Sequence, residues 1–70
     1  MDNKNLKLYS DGNFILCLCK NISEKNITYC VSLESADGGK MAEEYYNSLY
    51  NAGLQYDELR SNLIGLSIWF

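Results

Sequence analysis

Apolar and polar positions alternate with a period of two through most of the first half of the chain, which is the pattern of half-buried strands. Leu6-Lys7-Leu8-Tyr9 reads as a first strand and runs into Asp11-Gly12-Asn13, a turn in which Gly and Asn tolerate positive φ. A second strand follows from Phe14 to Lys20. It is apolar on both faces, with Phe14, Leu16 and Leu18 on one and Ile15, Cys17 and Cys19 on the other, as in a central strand covered on both sides. Asn21 to Asn26 is a polar turn. The third strand, Ile27 to Leu33, sets Ile27, Tyr29, Val31 and Leu33 against Thr28, Cys30 and Ser32, and its mixed face continues that of the second.

The period changes after Leu33. Ser35-Ala36-Asp37-Gly38-Gly39 interrupts the strand pattern and supplies capping candidates, and Glu43 and Glu44 would then sit in a first helical turn, where the dipole favours negative charge. Met41, Tyr45, Leu49 and Ala52 fall at helical spacing, so a helix is expected from about Lys40 to Ala52, with Gly53 as the residue that ends it. Residues 54–62 fit both a short helical turn, through Tyr56, Leu59 and Leu63, and an extended start, through Leu54 and Tyr56. Leu63 to Phe70 alternates again and predicts a final strand, with Ile64, Leu66, Ile68 and Phe70 facing the core and Leu63, Gly65, Ser67 and Trp69 facing away. The expected fold is a single α+β domain over residues 1–70, β-β-β-α-β, a small antiparallel sheet with one helix packed on one face.

Length sharpens that picture. A chain of 70 residues buries only about 60% of the surface it exposes when unfolded, and its apolar burial roughly cancels its conformational entropy. A disulfide, a metal or a partner is therefore expected to add to the stability. The three cysteines are an odd number, and Met1-Asp2-Asn3-Lys4-Asn5 lacks the basic-then-apolar design of a secretory signal, so reduced thiols in a cytoplasm are expected. Asn21-Ile22-Ser23 and Asn26-Ile27-Thr28 match glycosylation triplets that an Asn-rich chain generates by chance. The longest apolar runs, Phe14 to Cys19 and Leu63 to Phe70, fall short of the roughly 20 residues a membrane helix needs. Abundant Asn, Lys, Ile and Tyr without Pro or His points to an AT-rich coding sequence of the bacterial or phage kind.

The net charge of -3 resides in the C-terminal half, where six acids from Glu34 onward meet only Lys40 and Arg60. Direct nucleic-acid binding is disfavoured, because affinity for phosphate rests on clustered Lys and Arg. A basic protein surface is the better electrostatic match.

Catalysis lacks its usual base, since the chain has no His. Neighbouring acids such as Glu43-Glu44 or Asp57-Glu58 point about 100° apart on a helix and do not share a site. Cys17 and Cys19 share a strand face with Cys30 beside them, yet a strand spacing of two presents metal ligands poorly, and four wrapped ligands are the norm for zinc. Small buried side chains are the simpler reading of the three thiols. Asp37-Gly38-Gly39-Lys40 before a helix has some likeness to an anion-binding terminus, but Met41 stands where a Walker A loop needs a hydroxyl. No catalytic residue, metal ligand or cofactor is assigned.

Surface character remains. Six Tyr and one Trp are many for this length, and aromatics give contact area at little entropic cost. Tyr46, Tyr50 and Trp69 fall outside the predicted core and are the expected anchors, with Glu43, Glu44, Asp57 and Glu58 supplying the charge. The sheet face away from the helix should carry an apolar patch of Ile15, Cys17, Cys19, Cys30, Leu63 and Trp69, which a single helix leaves uncovered. The leading reading is a non-enzymatic protein-binding module that engages a basic protein surface, for example on a nucleic-acid-binding complex. Small size, acidity and the lack of catalytic residues resemble phage or mobile-element inhibitors of the anti-CRISPR or anti-restriction type, acting in a bacterial cytoplasm. A structural or regulatory homodimer is the alternative, and a thiol or metal module built on the three cysteines is the second alternative.

Overall fold

Tight turns fold the first 46 residues back and forth, and each turn is made by specific polar atoms. Asp11 Oδ1 accepts hydrogen bonds from the backbone N–H groups of Asn13 and Phe14, both at 2.9 Å, around Gly12 at φ +91°. Ser23 N–H donates to the Asn26 carbonyl at 2.9 Å and closes the second turn. In the third, Ser35 N–H donates to the Gly39 carbonyl at 2.8 Å and Gly38 N–H to the Ser35 carbonyl at 3.0 Å, with Gly38 at φ +98°, where a side chain would be strained.

The computed structural model describes the backbone of residues 2–69 and the side chains of residues 3–65. Its elements are β1 (Asp2–Ser10), β2 (Phe14–Ile22), β3 (Ile27–Ser35), β4 (Lys40–Tyr46) and α1 (Leu49–Trp69). The strands form one antiparallel meander in the order β1-β2-β3-β4. The α+β class with one helix on an antiparallel sheet is therefore as expected, but the order is β-β-β-β-α.

Two expectations are corrected. Residues 40–46 form a strand, because the Gly38 turn returns the chain along the free edge of β3 and places Tyr45 opposite Cys30, Glu43 opposite Ser32 and Ala42 opposite Leu33. A paired edge satisfies a whole row of backbone groups that a helix in this position would have left open. Residues 63–69 are the last turns of α1 rather than a strand, which also resolves residues 54–62 as helical and puts Gly53 inside the helix. Phe70, expected at the end of that strand, lies outside the described residues.

Ser48 starts the helix. Its carbonyl accepts from Ala52 N–H at 3.1 Å and its hydroxyl oxygen from Asn51 N–H at 3.4 Å, as an N-cap does. Twenty-one helical residues span about 31 Å, close to the roughly 30 Å of a nine-residue strand, so one helix suffices to cover the sheet lengthwise. Its stripe of Ala52, Tyr56, Leu59 and Leu63 lies on Leu16, Leu18 and Val31, flanked by Tyr9, Phe14, Tyr29, Leu33 and Tyr46. Leu16 and Leu18 are fully buried.

Cations seal the seam between β1 and α1. Lys7 Nζ lies 4.0 Å from Asp57 and 5.6 Å from the centre of the Tyr56 ring, and the Arg60 guanidinium lies 5.7 Å from the Tyr9 ring. The ion pair is exposed and worth little, while each cation–π contact adds on the order of 0.5–1 kcal/mol.

Candidate functional site

The helix covers one face of the sheet, and strand alternation assigns the rest of the side chains to the other. On β2 this second face carries Ile15, Cys17, Cys19 and Asn21, and on β3 Thr28, Cys30, Ser32 and Glu34. The register extends these into rows that cross the whole sheet. One row runs Leu8, Cys17, Ser32, Glu43, and the next runs Asn5, Cys19, Cys30, Tyr45. Leu8 is 63% exposed and Tyr45 60%, so the face has an apolar middle flanked by two large side chains open to solvent.

Three thiols occupy that middle. Cys30 is buried and stands directly opposite Cys19. Cys17 Sγ and Cys19 Sγ approach to 3.1 Å, and each lies within hydrogen-bond reach of Asn5 Oδ1, at 3.5 and 3.3 Å respectively, so their two S–H protons are shared among three contacts. Burial, then the hydrogen bond to Cys19, pushes the Cys17 thiol up to about 12, and burial followed by the Glu43 carboxylate pushes Cys30 upward as well. Both groups are poor thiolates at neutral pH, the opposite of an activated nucleophile.

An acidic end borders the thiols. Glu34, Asp37, Glu43 and Glu44 meet only Lys40 within 11 residues, an excess of three negative charges that equals the net charge of the chain, with Glu44 turned to the helix side. Lys40 Nζ donates to Glu43 at 2.8 Å and the Tyr45 hydroxyl donates to the same carboxylate at 3.0 Å, which lowers the Glu43 pKa and raises those of Lys40 and Tyr45. Ser35 Oγ and the backbone of Gly39 bond the Asp37 carboxylate and lower its pKa too. Asp37 and Glu43 therefore stay charged to lower pH than free carboxylates.

The seven residues singled out from sequence do not converge. Glu43 lies on the open face beside Tyr45. Glu44 faces the helix side at the sheet edge, where it accepts the Tyr46 hydroxyl at 2.6 Å and pushes that phenol up to about 12. Tyr46 is half-buried against the core, which corrects its expected role as an exposed anchor. Tyr50, 74% exposed, Asp57 and Glu58 belong to α1, across the sheet from the thiols. Trp69 is helical, which removes it and the core residue Leu63 from the predicted sheet patch; the Trp69 side chain lies outside the described residues. Leu8, Asn5, Glu34 and Tyr45 were missed. The alternation of Glu43 and Tyr45 about Glu44 was the signal available for the last.

Among the described residues no three His, Cys, Asp or Glu side chains are grouped to hold a metal ion, and no helix is long and apolar enough to cross a membrane. A groove between β4 and α1, lined by Val31, Ala42, Glu44, Gln55 and Leu59, holds about 150 Å³. That volume is below the roughly 300 Å³ at which small-molecule sites begin. No family model, no curated protein and no solved structure matches the chain.

Proposed function

We propose that this chain is a non-enzymatic protein-binding module that docks its partner on the open face of the sheet. The observation that carries the reading is the row structure of that face: Leu8 and Tyr45, both more than half exposed, bracket an apolar middle next to an acidic end. Folded monomers rarely leave such a surface free of function, and an aromatic beside desolvated small side chains is the composition of a binding hot spot. The acidic end selects a partner with a basic rim and speeds the encounter. In its finer form the proposal is that of an inhibitor from a phage or other mobile element that blocks the basic surface of a nucleic-acid-binding complex in a bacterial cytoplasm. Small size, acidity and a chain without His support that form.

A homodimer through the same face is the second reading, favoured by the same exposed apolar middle. Charge argues against it. The described charged groups of the face are Glu34 and Glu43 with Lys40 already paired to Glu43, so a second copy offers acid to acid.

Glu43 and Glu44 are adjacent in sequence and face opposite sides, which makes a clean test. In quantitative affinity capture from a bacterial lysate, Glu43→Lys should lose the partner that wild type retains, while Glu44→Lys should keep it. Equal recovery by both variants, or a doubled mass for the isolated chain in light scattering, contradicts docking of a basic partner on this face.

A further inference from the structure

Asn5 owes its place on the thiol face to a β-bulge. Counting back along β1 from Leu8 opposite Cys17 and Lys7 opposite Leu18, the next residue, Leu6, would stand opposite Cys19; the register shifts there, and Asn5 takes the position. Bulges re-aim side chains, and this one exchanges a leucine for an amide oxygen beside two thiols.

The three donor atoms form a triangle with sides of 3.1, 3.3 and 3.5 Å. Such a triangle is close to one face of a tetrahedral coordination sphere. With metal–sulfur bonds of about 2.3 Å, two thiolates on one tetrahedral ion lie roughly 3.8 Å apart, so the sulfurs at 3.1 Å need to open by only about 0.7 Å. A disulfide asks for more. It requires the sulfurs to close by about 1.1 Å from 3.1 Å, and two residues of extended strand span roughly 6.4–6.8 Å, the upper limit of the Cα separation a disulfide accepts. The strand thus holds the sulfurs near chelating distance and short of bonding.

We infer that Asn5, Cys17 and Cys19 form a binding site for a thiophilic divalent cation of the zinc and cadmium class. The step is an exchange without oxidation: two S–H bonds break, two S–metal bonds form, and both protons pass to solvent. The Asn5 carbonyl oxygen, which lies within hydrogen-bond reach of both thiols in the free protein, turns its lone pair to the ion. The fourth position faces solvent and takes water. The inference stands apart from the docking proposal, because it needs the donor triangle and not a partner.

Cadmium is the probe, since bonds from sulfur give it an ultraviolet charge-transfer band that the free ion lacks. The reduced chain is titrated with Cd²⁺ and followed by absorbance, with far-ultraviolet circular dichroism confirming that each variant is folded. The expected result is a band that saturates at one ion per chain, is lost in Cys17→Ser and in Cys19→Ser, persists in Cys30→Ser, and is weakened by about tenfold in affinity in Asn5→Ala. No band in the wild type, an equal band in the Cys17→Ser/Cys19→Ser double variant, loss in Cys30→Ser, or saturation at half an equivalent with doubled mass would each overturn the assignment.

Discussion

Asn5 stands opposite Cys19 with Leu6 looped out between Asn5 and Lys7, so β1 keeps polar Asn5 and apolar Leu8 on the open face although three positions separate them. The bulge absorbs the odd residue that would otherwise turn every side chain before it to the wrong side.

Deletion of Leu6 should therefore be tolerated. It joins Asn5 to Lys7 and leaves all other β1–β2 partners in register. Urea unfolding of the deletion variant is expected to stay within about 1 kcal/mol of wild type, no more than the average cost of a single substitution. Deletion of Leu8 instead slips the strand against β2 and should cost several times more. Equal effects of the two deletions would contradict the bulge.

Two glycines separate the observed fold from the one the sequence suggested. Gly53 lies within α1, and a Cβ there meets nothing within 4 Å, so Gly53→Ala should stabilise by about 0.5–1 kcal/mol through helix propensity. Had Gly53 ended a helix in the left-handed conformation, the same change would destabilise. Gly38 does occupy that region, at φ +98°, and Gly38→Ala should lower stability by about 1 kcal/mol. Opposite signs in thermal or urea unfolding are the expected outcome, and destabilisation by both would place the helix end at Gly53.

That contrast shows where the sequence was informative. The first three strands were legible because their turns carry their own mechanism: Asp11, Gly12 and Asn13 close a hairpin with local hydrogen bonds alone. The shared face of Cys17, Cys19 and Cys30 followed from a spacing of two and a hairpin register. Beyond Leu33 two periods coexist. Met41, Tyr45, Leu49 and Ala52 make a helical stripe, while Ala42, Glu44 and Tyr46 alternate about Glu43 and Tyr45. The choice is made by the free edge of β3, a long-range partner that no local window contains. At the C-terminus the stripe of Ala52, Tyr56, Leu59 and Leu63 outweighed the alternation of 63–70, because it buries against Leu16 and Leu18. Tyr45 was lost to the candidate site through the same misreading, and Glu43 and Glu44 were merged into one helical cluster when the strand sends them to opposite sides.

Alkaline pH should weaken the fold through Cys17. The unfolded chain gives up this proton near 9.0, whereas in the folded chain burial, the Cys19 hydrogen bond and the negative potential of Cys19, Cys30 and Glu34 hold it to about 12. Between these values the unfolded state binds fewer protons, so stability falls as pH rises; the contribution is complete below pH 9 and is lost toward pH 12. Urea midpoints measured from pH 8 to 11 for wild type and Cys17→Ala isolate the effect from the titration of the six tyrosines. Wild type is expected to lose more stability than the variant above pH 9, and parallel losses would show that Cys17 titrates normally.

Tyr45 and Tyr50 are both exposed, at 60% and 74%, but sit on opposite sides of the molecule, one on the open sheet face and the other on α1. Comparing their alanine variants is the most direct test of which side binds. With the partner captured by wild type, Tyr45→Ala should weaken the dissociation constant at least about tenfold, the 1.4 kcal/mol or more expected of a buried aromatic anchor. Tyr50→Ala should leave it within about twofold, a change of less than half a kcal/mol. The reverse order, with Tyr50 the sensitive position, would contradict docking on the open face and move the interface to the helix.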